Sequence, residues 1–510
     1  MSSPIRSSAL VLQNDRGAVL TGRRTLAARS FPGYLAFPGG TCDDEDHDVP
    51  ALGHDAAEPS HLRQERITAL RELGEETGYW RLCTPGGDPV DKQRQQRFLD
   101  DVGAASDFAQ LLRELDVVLD VRGMVPLGRW LTPPHRKRRF SVQQFLLIDD
   151  PAQFIVGPAT DELSDIDFRL PHDVVRDWEQ AHHLLLPPIA HAIFALHRHA
   201  VEHAPLSYGA QHFDAGIAAL RATPREGEVR IRELCRGVFV QPLRSHTLPP
   251  ATHTNCVLVG EDDFVIIDPA ACDDDEKARF VDVVQHLAAR KQHPKAVVLT
   301  HHHHDHVDAA AFVAERFGLP IWAHAETAKR VPFDVDRLLT EDDRLFDDNA
   351  PTSDQKWQLL HTPGHAQGHL CLLHPDKGVL VAGDMVAATG SILIDPDDGD
   401  LGLYLASLER LIALAPRHVV PAHGPMLQAG TEKLQHQLAH RHQRTQQVRD
   451  AVDDEPRDLE ALTVKVYGDE VPPHVLPLAA RSLESILIYL QDRGEVTVRD
   501  GGFVASVSGE

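Results

Sequence analysis

The sequence predicts a multidomain protein of mixed α/β and α+β class, and three observations lead to this prediction. The chain has 510 residues, which exceeds one ordinary core at roughly 150 residues per domain. Strand-like apolar runs alternate with helical segments in its middle part. From residue 430 onward the pattern becomes mainly helical.

Composition indicates a folded globular protein, because 42% of the residues are hydrophobic and 25% are charged. No apolar run approaches the roughly 18 residues of a membrane helix. The opening MSSPIRSSALVLQ lacks a secretory signal, so we expect a cytoplasmic protein with no membrane partner. The cysteines lack CxxC spacing, which argues against a disulfide framework or a cysteine zinc finger. They are Cys42, Cys83, Cys235, Cys256, Cys272 and Cys371.

The formal net charge of -25 repels polyanions and weakens any expectation of tight nucleic-acid binding. It does not exclude such binding, because divalent metals can reverse the potential locally.

Near the N-terminus, residues 5–22 predict a hairpin, and the acidic stretch 43–60 predicts an exposed insertion. Helical periodicity follows in HLRQERITALRELGEETGYW, and RFSVQQFLLID predicts a strand. We place the first domain boundary in the mixed segment that ends with Pro224 and Gly227.

In the middle part, the strand-like runs FVIID, KAVVLT, LCLLH, GVLVAGD and HVVPAH predict a layered α/β domain. The tail ends with a helix and a short hairpin across Asp500-Gly501-Gly502, which has the outline of a winged helix. The predicted division is a first domain over 5–203, a linker over 204–228, a second domain over 229–430 and a small C-terminal domain over 431–510.

A histidine-aspartate run starts where the apolar strand KAVVLT stops. His301, His303, Asp305 and His306 have the spacing H-x-H-x-D-H, so one loop can offer two ligands to each of two metal ions. His302 and His304 occupy the intervening positions, where we expect packing or substrate contact.

Three later strand ends also deliver potential ligands. His365 follows HTPG, Asp384 follows GVLVAG, and His423 follows HVVPA. The two oxygens of Asp384 could bridge two ions. A chain with 32 histidines can form clusters by chance, or HHHH could be a surface metal-binding tract, but the ordered later motifs disfavour both alternatives.

The motifs THHHHDH, HTPGHAQGH, VAGD and PAHG resemble those of the metallo-beta-lactamase fold hydrolases over 229–430. The resemblance implies an αββα sandwich in which Asp384 bridges two ions, either zinc, iron or manganese, and Asp268 supports the metal loop from behind. It assigns the first ion to His301, His303 and His365, and the second to Asp305, His306 and His423.

Two such ions, roughly 3.5 to 4 Å apart, would share a water and lower its pKa to about 7. The resulting hydroxide would attack an ester, thioester or phosphodiester, and we expect Asp305 to orient it as a catalytic residue. HVDAAA and IIDPAA lack glycines often found in the family, which leaves the substrate class open.

The tail LTVKVYG…VPPHVLPLAARSLESILIYLQDRGEV resembles the winged-helix extension of the lactamase-beta-like-2 group, which implies single-stranded RNA as one candidate partner. The alternative is a thioesterase or glyoxalase II-like hydrolase, since hydroxyacylglutathione hydrolases share the metal motifs with a different tail. A tail that only shields the cleft or forms a homodimer is a further alternative.

The N-terminal segment RELGEETGY places Glu72, Glu75 and Glu76 on one helical face. A divalent cation would compensate three like charges, whereas an ordinary solvated acidic helix is the alternative. With Arg71 and the upstream FPGG, the segment resembles the Nudix box of an α/β/α sandwich. The resemblance implies that the three glutamates bind magnesium or manganese and supply the base, with Glu72 and Arg71 as catalytic residues.

The box is interrupted, because the interval between Gly40 and Arg71 is longer than in the family. Arg63 stands where the upstream glutamate would fall, and Glu65 or Glu58 could substitute. This interruption, with GRWLTPPHRKRRFSVQQFLL and DELSDIDFRLP, resembles the coenzyme A diphosphatase subgroup. It implies a nucleotide or coenzyme A-type substrate, with the basic run 135–139 as a phosphate contact. A catalytically silent nucleotide sensor is the alternative.

Overall fold

The computed structural model describes residues 3–28, 31–54, 58–132, 138–203, 232–388, 390–468 and 471–506. The chain divides into two compact units, residues 1–235 and 236–510. The predicted linker 204–228 and the basic residues 135–137 lie outside the described residues.

The first unit is built on a mixed sheet. Its five-strand path runs in the order Leu163–Arg169, Val19–Arg24, Ile5–Gln13, Phe140–Ile148 and Val125–Leu131. Two short strands extend it, Leu35–Ala36 beside Val19–Arg24 and Gly39–Thr41 beside Ile5–Gln13. Ile5–Gln13 runs parallel to Phe140–Ile148 and antiparallel to Val19–Arg24. The predicted N-terminal hairpin and the later strand are therefore confirmed.

Short strands and helices surround this sheet. Tyr79–Trp80 pairs with Ile155–Val156, and Ala51–Leu52, Val118–Asp120 and Leu82–Cys83 form a small sheet. The α-helices are Ser60–Thr77, Lys92–Asp101, Phe108–Leu115, Pro171–Glu179 and Pro187–His203, and a further strand spans Arg232–Cys235. The predicted glutamate-bearing helix is confirmed as Ser60–Thr77, which ends at Gly78 because that residue adopts a left-handed conformation.

The acidic stretch 43–60 corrects a prediction. It contains the 3-10 helix Asp44–Asp48, and within it Asp46 is only 1% exposed. Asp46 accepts hydrogen bonds from Thr68 Oγ1 at 2.6 Å and Arg71 Nε at 2.8 Å. The expectation of an exposed insertion is therefore wrong at Asp46, which a buried ion pair holds against the helix, whereas most of the other described residues of this stretch are exposed or half-buried.

The second unit contains two sheets whose strand ends approach each other. In the first, the strands from residue 236 onward run in the order Val238–Arg244, His253–Val259, Asp263–Ile267, His293–Leu299, Ile321–His324 and Arg337–Leu339. The second sheet has the order Gln358–His361, Leu370–His374, Val379–Gly383, His418–Pro421 and Leu427–Gln428. Leu370 N donates to Thr300 O at 2.9 Å, which joins the two sheets at the end of strand His293–Leu299.

Helices connect these strands and form most of the tail. Those before the tail are Asp274–Ala289, His304–Val307, Ala310–Phe317, Ala325–Ala328 and Leu401–Ala413. The tail consists of Gly430–Ala451, Leu459–Tyr467, Leu476–Asp492 and the antiparallel hairpin Val496–Arg499 with Gly502–Ala505. No helix in the described ranges is long and apolar enough to cross a membrane.

The tail shares an apolar core with the preceding domain. Leu434, Leu483 and Leu487 belong to the same buried cluster as Leu408 and Val419. Burial of these side chains contributes to the stability of both segments, since each fully buried leucine is worth about 1.5–3 kcal/mol relative to exposure.

Candidate functional site

Three imidazoles from the two sheets of the second unit form a first group. His301 and His303 follow the strand His293–Leu299, and His365 follows Gln358–His361. His303 Nδ1 lies 3.0 Å from His301 Nε2 and 3.0 Å from His365 Nε2. These spacings fit three nitrogens converging on one metal ion at about 2 Å.

A second group contains Asp305, His306 and His423, whose ligand atoms lie within 4.8 Å of one another. Asp384 stands between the groups. Its Oδ1 lies 3.6 Å from His306 Nε2 and 3.5 Å from His423 Nε2, while Oδ2 lies 3.5 Å from His365 Nε2. One carboxylate oxygen thus faces each group, which is the arrangement that a bridging ligand needs.

Asp268 holds the segment 300–306 in place through hydrogen bonds. It accepts hydrogen bonds from Thr300 N at 2.8 Å and Thr300 Oγ1 at 2.5 Å, and His306 Nδ1 donates to it at 2.8 Å. Because His306 Nδ1 bonds Asp268, Nε2 is the ring nitrogen that faces Asp384. A carboxylate that holds a ligand imidazole in this way fixes its tautomer and ring orientation.

Other imidazoles are oriented by groups on their far sides. His365 Nδ1 donates to Leu393 O at 2.8 Å, and His423 Nδ1 donates to His253 O at 3.0 Å. His303 uses the opposite nitrogen, with Nε2 3.2 Å from Asp398 Oδ2. Every imidazole held in this way points its remaining nitrogen into the cluster.

Burial and local charge favour cation binding by the cluster that the two groups form with Asp384. Burial lowers the pKa of His365 to about 4, so the imidazole is neutral and can bind a metal at pH 7. Although burial opposes ionisation of Asp305, its hydrogen bond with His423 lowers its pKa to about 2. Burial likewise opposes ionisation of Asp384, but His306 holds the pKa of that carboxyl well below its usual range.

The donor atoms fit divalent metal binding. His306 Nε2 and Asp384 Oδ1 are both buried and have no hydrogen-bond partner among the described residues. A buried polar atom without a partner is costly, and a metal ion held by the second group would satisfy both atoms.

Sequence reasoning missed two residues that orient this cluster. His369, the last residue of HTPGHAQGH, is fully buried and accepts a hydrogen bond at Nε2 from Asp384 N at 3.1 Å. Its place in that motif was an available signal. Asp398 lies in an acidic loop, and nothing in the sequence of that loop indicates a contact with His303. Of the intervening histidines, His302 lies 3.3 Å from Asp398, and the side chain of His304 is 88% exposed.

The turn that presents His365 requires glycine. Gly364 has φ of +135°, and a Cβ there would lie 2.2 Å from Tyr404 N. Gly364→Ala should therefore lower the free energy of unfolding of the second unit by about 2 kcal/mol or more, because backbone strain and overpacking each cost about 1–3 kcal/mol.

The measurement is urea unfolding of the full chain followed by hydrogen exchange of peptides in the second unit. Gly390→Ala is the matched control, since Gly390 has φ of +81° but meets no described heavy atom within 4 Å. Equal losses in the two variants would contradict a steric role for Gly364.

In the first unit, Arg71 organises the acidic helix face. Its guanidinium lies 2.8 Å from Asp46, 2.8 Å from Glu75 and 3.1 Å from Glu72. Among the described residues, the three predicted glutamates do not form one group with all ligand atoms within 4.8 Å. Arg71 instead links two of them to Asp46.

Glu72 and Glu76 lie against Gly39 and Gly40 of the short strand Gly39–Thr41. Gly39 N donates to Glu76 Oε2 at 2.8 Å, and a Cβ on Gly40 would lie 2.3 Å from Glu72 Oε1. Glycine at position 40 thus leaves room for the carboxylate. Burial raises the pKa of Glu72 to about 7 and that of Glu76 to about 8.

The two candidates for the missing upstream glutamate are both paired with arginines. Glu65 accepts from Arg129 Nη2 with both oxygens, at 2.8 and 2.7 Å. Glu58 accepts from Arg66 Nε with both oxygens, at 3.1 and 3.2 Å, and from Arg66 Nη2 with Oε1 at 2.8 Å. These ion pairs account for both carboxylates without a metal.

The buried Glu76 carboxyl should make the first unit less stable as pH rises when divalent metals are removed. The folded state retains a proton that the unfolded state releases above its ordinary pKa, so the stabilisation is full at acid pH and is lost as pH rises through about 8. The free energy of opening of helix Ser60–Thr77 should fall by up to about 2 kcal/mol between about pH 6 and about pH 8.

Hydrogen exchange in EDTA, corrected for intrinsic rates, measures this loss, and Glu76→Gln should reduce it. An unchanged pH dependence in Glu76→Gln would assign the loss to other groups.

Comparison with known proteins gives matches for the second unit. The metallo-beta-lactamase superfamily profile matches residues 249–423. Beta-lactamase-like protein 2 homolog of Drosophila melanogaster is 28% identical over 235 residues, which span 42% of this chain and 76% of that protein. Hydroxyacylglutathione hydrolase of Rhizobium meliloti (strain 1021) is 34% identical over 145 residues, 28% of this chain and about half (52%) of that protein.

One solved structure to which the chain is similar is that of a NUDIX hydrolase from Alicyclobacillus acidocaldarius. It is 23% identical, with a TM-score of 0.33, and the match covers 41% of this chain and 99% of that one.

Proposed function

We propose that the second unit, in which residues 249–423 match the metallo-beta-lactamase superfamily profile, is a hydrolase with two divalent metal ions. The observation that carries the proposal is the position of Asp384, which turns one oxygen toward each of two ligand groups. The proposed ligands of the two ions are His301, His303 and His365 for one, Asp305, His306 and His423 for the other, and Asp384 for both.

When bound, two divalent ions would lower the pKa of a shared water to about 7 and polarise the substrate carbonyl or phosphoryl group. The chain supplies orientation. Asp305 remains ionised at neutral pH because His423 holds its pKa at about 2, so its carboxylate can accept a hydrogen bond from the attacking water. His301 and His306 are fully buried, which keeps bulk water away from the inner side of the cluster.

We propose a small-molecule thioester as the substrate. Support comes from the relative named hydroxyacylglutathione hydrolase, whose substrate by name is a thioester of glutathione. The net charge of -25 opposes a polyanionic substrate. Single-stranded RNA is the second candidate, favoured by the three helices and hairpin of the tail, which have the order of a winged helix.

The test measures metal content and turnover for the wild type and for Asp305→Ala with His306→Ala. The substrates are S-lactoylglutathione, acyl-coenzyme A and single-stranded RNA. His304→Ala is the matched control, because it removes an exposed imidazole from the same run. Only the double variant should lose metal and turnover. Full metal content and activity in that variant would refute the proposal, and cleavage of RNA alone would replace the thioester with a phosphodiester.

For the first unit we propose hydrolysis of a nucleoside-diphosphate-linked molecule with magnesium or manganese. The support is the buried Glu76 and the half-buried Glu72 beside Gly39 and Gly40, with Arg71 holding Glu75. A nucleotide-sensing role without turnover is the alternative, favoured by the ion pairs that occupy Glu58 and Glu65.

A further inference from the structure

The loop 391–400 holds the outer sides of two imidazoles in the first group. Leu393 O accepts from His365 Nδ1 at 2.8 Å. Asp398 Oδ2 lies 3.2 Å from His303 Nε2 and accepts a hydrogen bond from it. Both contacts leave the opposite ring nitrogens, His365 Nε2 and His303 Nδ1, 3.0 Å apart and facing the same point. The loop thus sets the direction of two of the three donors.

Two arginines of the C-terminal helices hold this loop. Arg481, in the helix Leu476–Asp492, binds Asp395 with Nη2 at 2.5 Å and Nε at 3.2 Å, and its Nη2 also lies 2.5 Å from Asp397. Arg441, in the helix Gly430–Ala451, donates to Ile392 O. The loop is therefore fixed by side chains that come from the tail.

Charge explains why the loop needs cations from elsewhere. It carries Asp395, Asp397, Asp398 and Asp400 within six positions, and close carboxylates repel one another. Arg330 contacts Asp398, while Asp400 caps the helix Leu401–Ala413 by accepting from Leu403 N. Arg481 pairs with the remaining two, Asp395 and Asp397, and offsets part of their charge. Its bond to Asp395 lies three residues from the aspartate that touches His303.

We infer that Asp398 is a positioning residue for His303, and that Arg481 positions it through the loop, so that the C-terminal helices tune the affinity of the first metal group. The inference rests on the proposed metal site. It assigns the tail a function that requires neither nucleic acid nor a second copy of the chain. Partners of metal-bound imidazoles commonly alter metal affinity by about 10-fold to 100-fold when they are removed.

The first test compares Asp398→Ala with Asp398→Asn in the full chain. Apparent Zn²⁺ affinity is measured by competition with a chromophoric chelator, and the Co²⁺ absorption spectrum reports ligand geometry. Asp398→Ala should weaken one of the two Zn²⁺-binding steps by about 10-fold to 100-fold. Asp398→Asn should recover much of that loss, because the amide oxygen still accepts from His303 Nε2. Wild-type affinity and spectrum in Asp398→Ala would overturn the inference.

The second test compares Arg481→Gln with Arg493→Gln. Arg493 follows the same helix and pairs with Glu495, so it controls for loss of a tail ion pair. Arg481→Gln should weaken Zn²⁺ binding by up to about 10-fold and alter the Co²⁺ spectrum, whereas Arg493→Gln should do neither. Equal behaviour of the two variants would overturn the role of Arg481.

A double variant separates action through the loop from a general loss of stability. If Arg481 acts through Asp398, then Arg481→Gln with Asp398→Ala should bind Zn²⁺ about as weakly as Asp398→Ala alone. Additive losses would overturn the connection. Failure of the wild-type protein to bind two ions would instead refute the proposed metal site itself, an outcome distinct from wild-type binding with unaffected variants.

Discussion

Asp384→Asn should lower the hydrolytic turnover of the second unit by at least about 100-fold and reduce its metal content. Removing a group that only orients a ligand costs about 10-fold to 100-fold, and Asp384 itself faces both ligand groups. Its Oδ1 lies 3.6 Å from His306 Nε2, and its Oδ2 lies 3.5 Å from His365 Nε2. Asparagine keeps the shape but offers one oxygen and no charge, so it cannot serve both ions.

The measurement combines metal analysis of the purified chain with kcat and KM on the thioester or RNA that the wild type cleaves. Asp354→Asn is the matched control, because Asp354 is also a buried aspartate of this unit and accepts from Glu261 N at 2.8 Å. It should alter stability while leaving two ions bound. Wild-type metal content and turnover in Asp384→Asn would contradict the bridging role.

The proposed metal ligands could be identified from the sequence because each depends on local structure. His301, Asp384 and His423 follow buried apolar strands. The sequence shows where each strand ends and which polar residue comes next, and this is sufficient to predict that these side chains meet at one edge of the sheets. Parallel pairing of Val379–Gly383 with His418–Pro421 brings two of these ends together. In the described structure His306, His365 and His423 lie 3.5–3.6 Å from Asp384.

Other parts of the site depend on contacts that no local pattern encodes. Asp398 lies 3.2 Å from His303, in a loop that Arg481 binds through Asp395, 86 positions away in the sequence. Asp46 lacks any periodic context, yet it is buried by Arg71. Such residues have the composition of exposed loops, and only the folded chain supplies the partner that gives them a role.

In the first unit, Glu75→Gln with Glu76→Gln should abolish hydrolysis of a nucleoside-diphosphate-linked substrate, with a loss of at least about 100-fold, the lower end of what a general base contributes. The variant also removes two of the oxygens available to magnesium. Glu76 is fixed by Gly39 N, and Glu75 by Arg71 Nη1, each at 2.8 Å. Both contacts tolerate an amide oxygen, so the fold should persist while charge is lost.

The measurement is magnesium-dependent turnover of coenzyme A and ADP-ribose, together with their dissociation constants. Glu114→Gln is the control, an exposed helical glutamate of the same unit whose carboxylate accepts from Gln110. Turnover lost at unchanged affinity supports catalysis by the glutamate face. If the wild type shows no turnover and the double variant changes only the affinity for the nucleotide, the first unit would instead be a nucleotide sensor. Arg71, already bound to Asp46, would then keep the glutamate face ordered for binding alone.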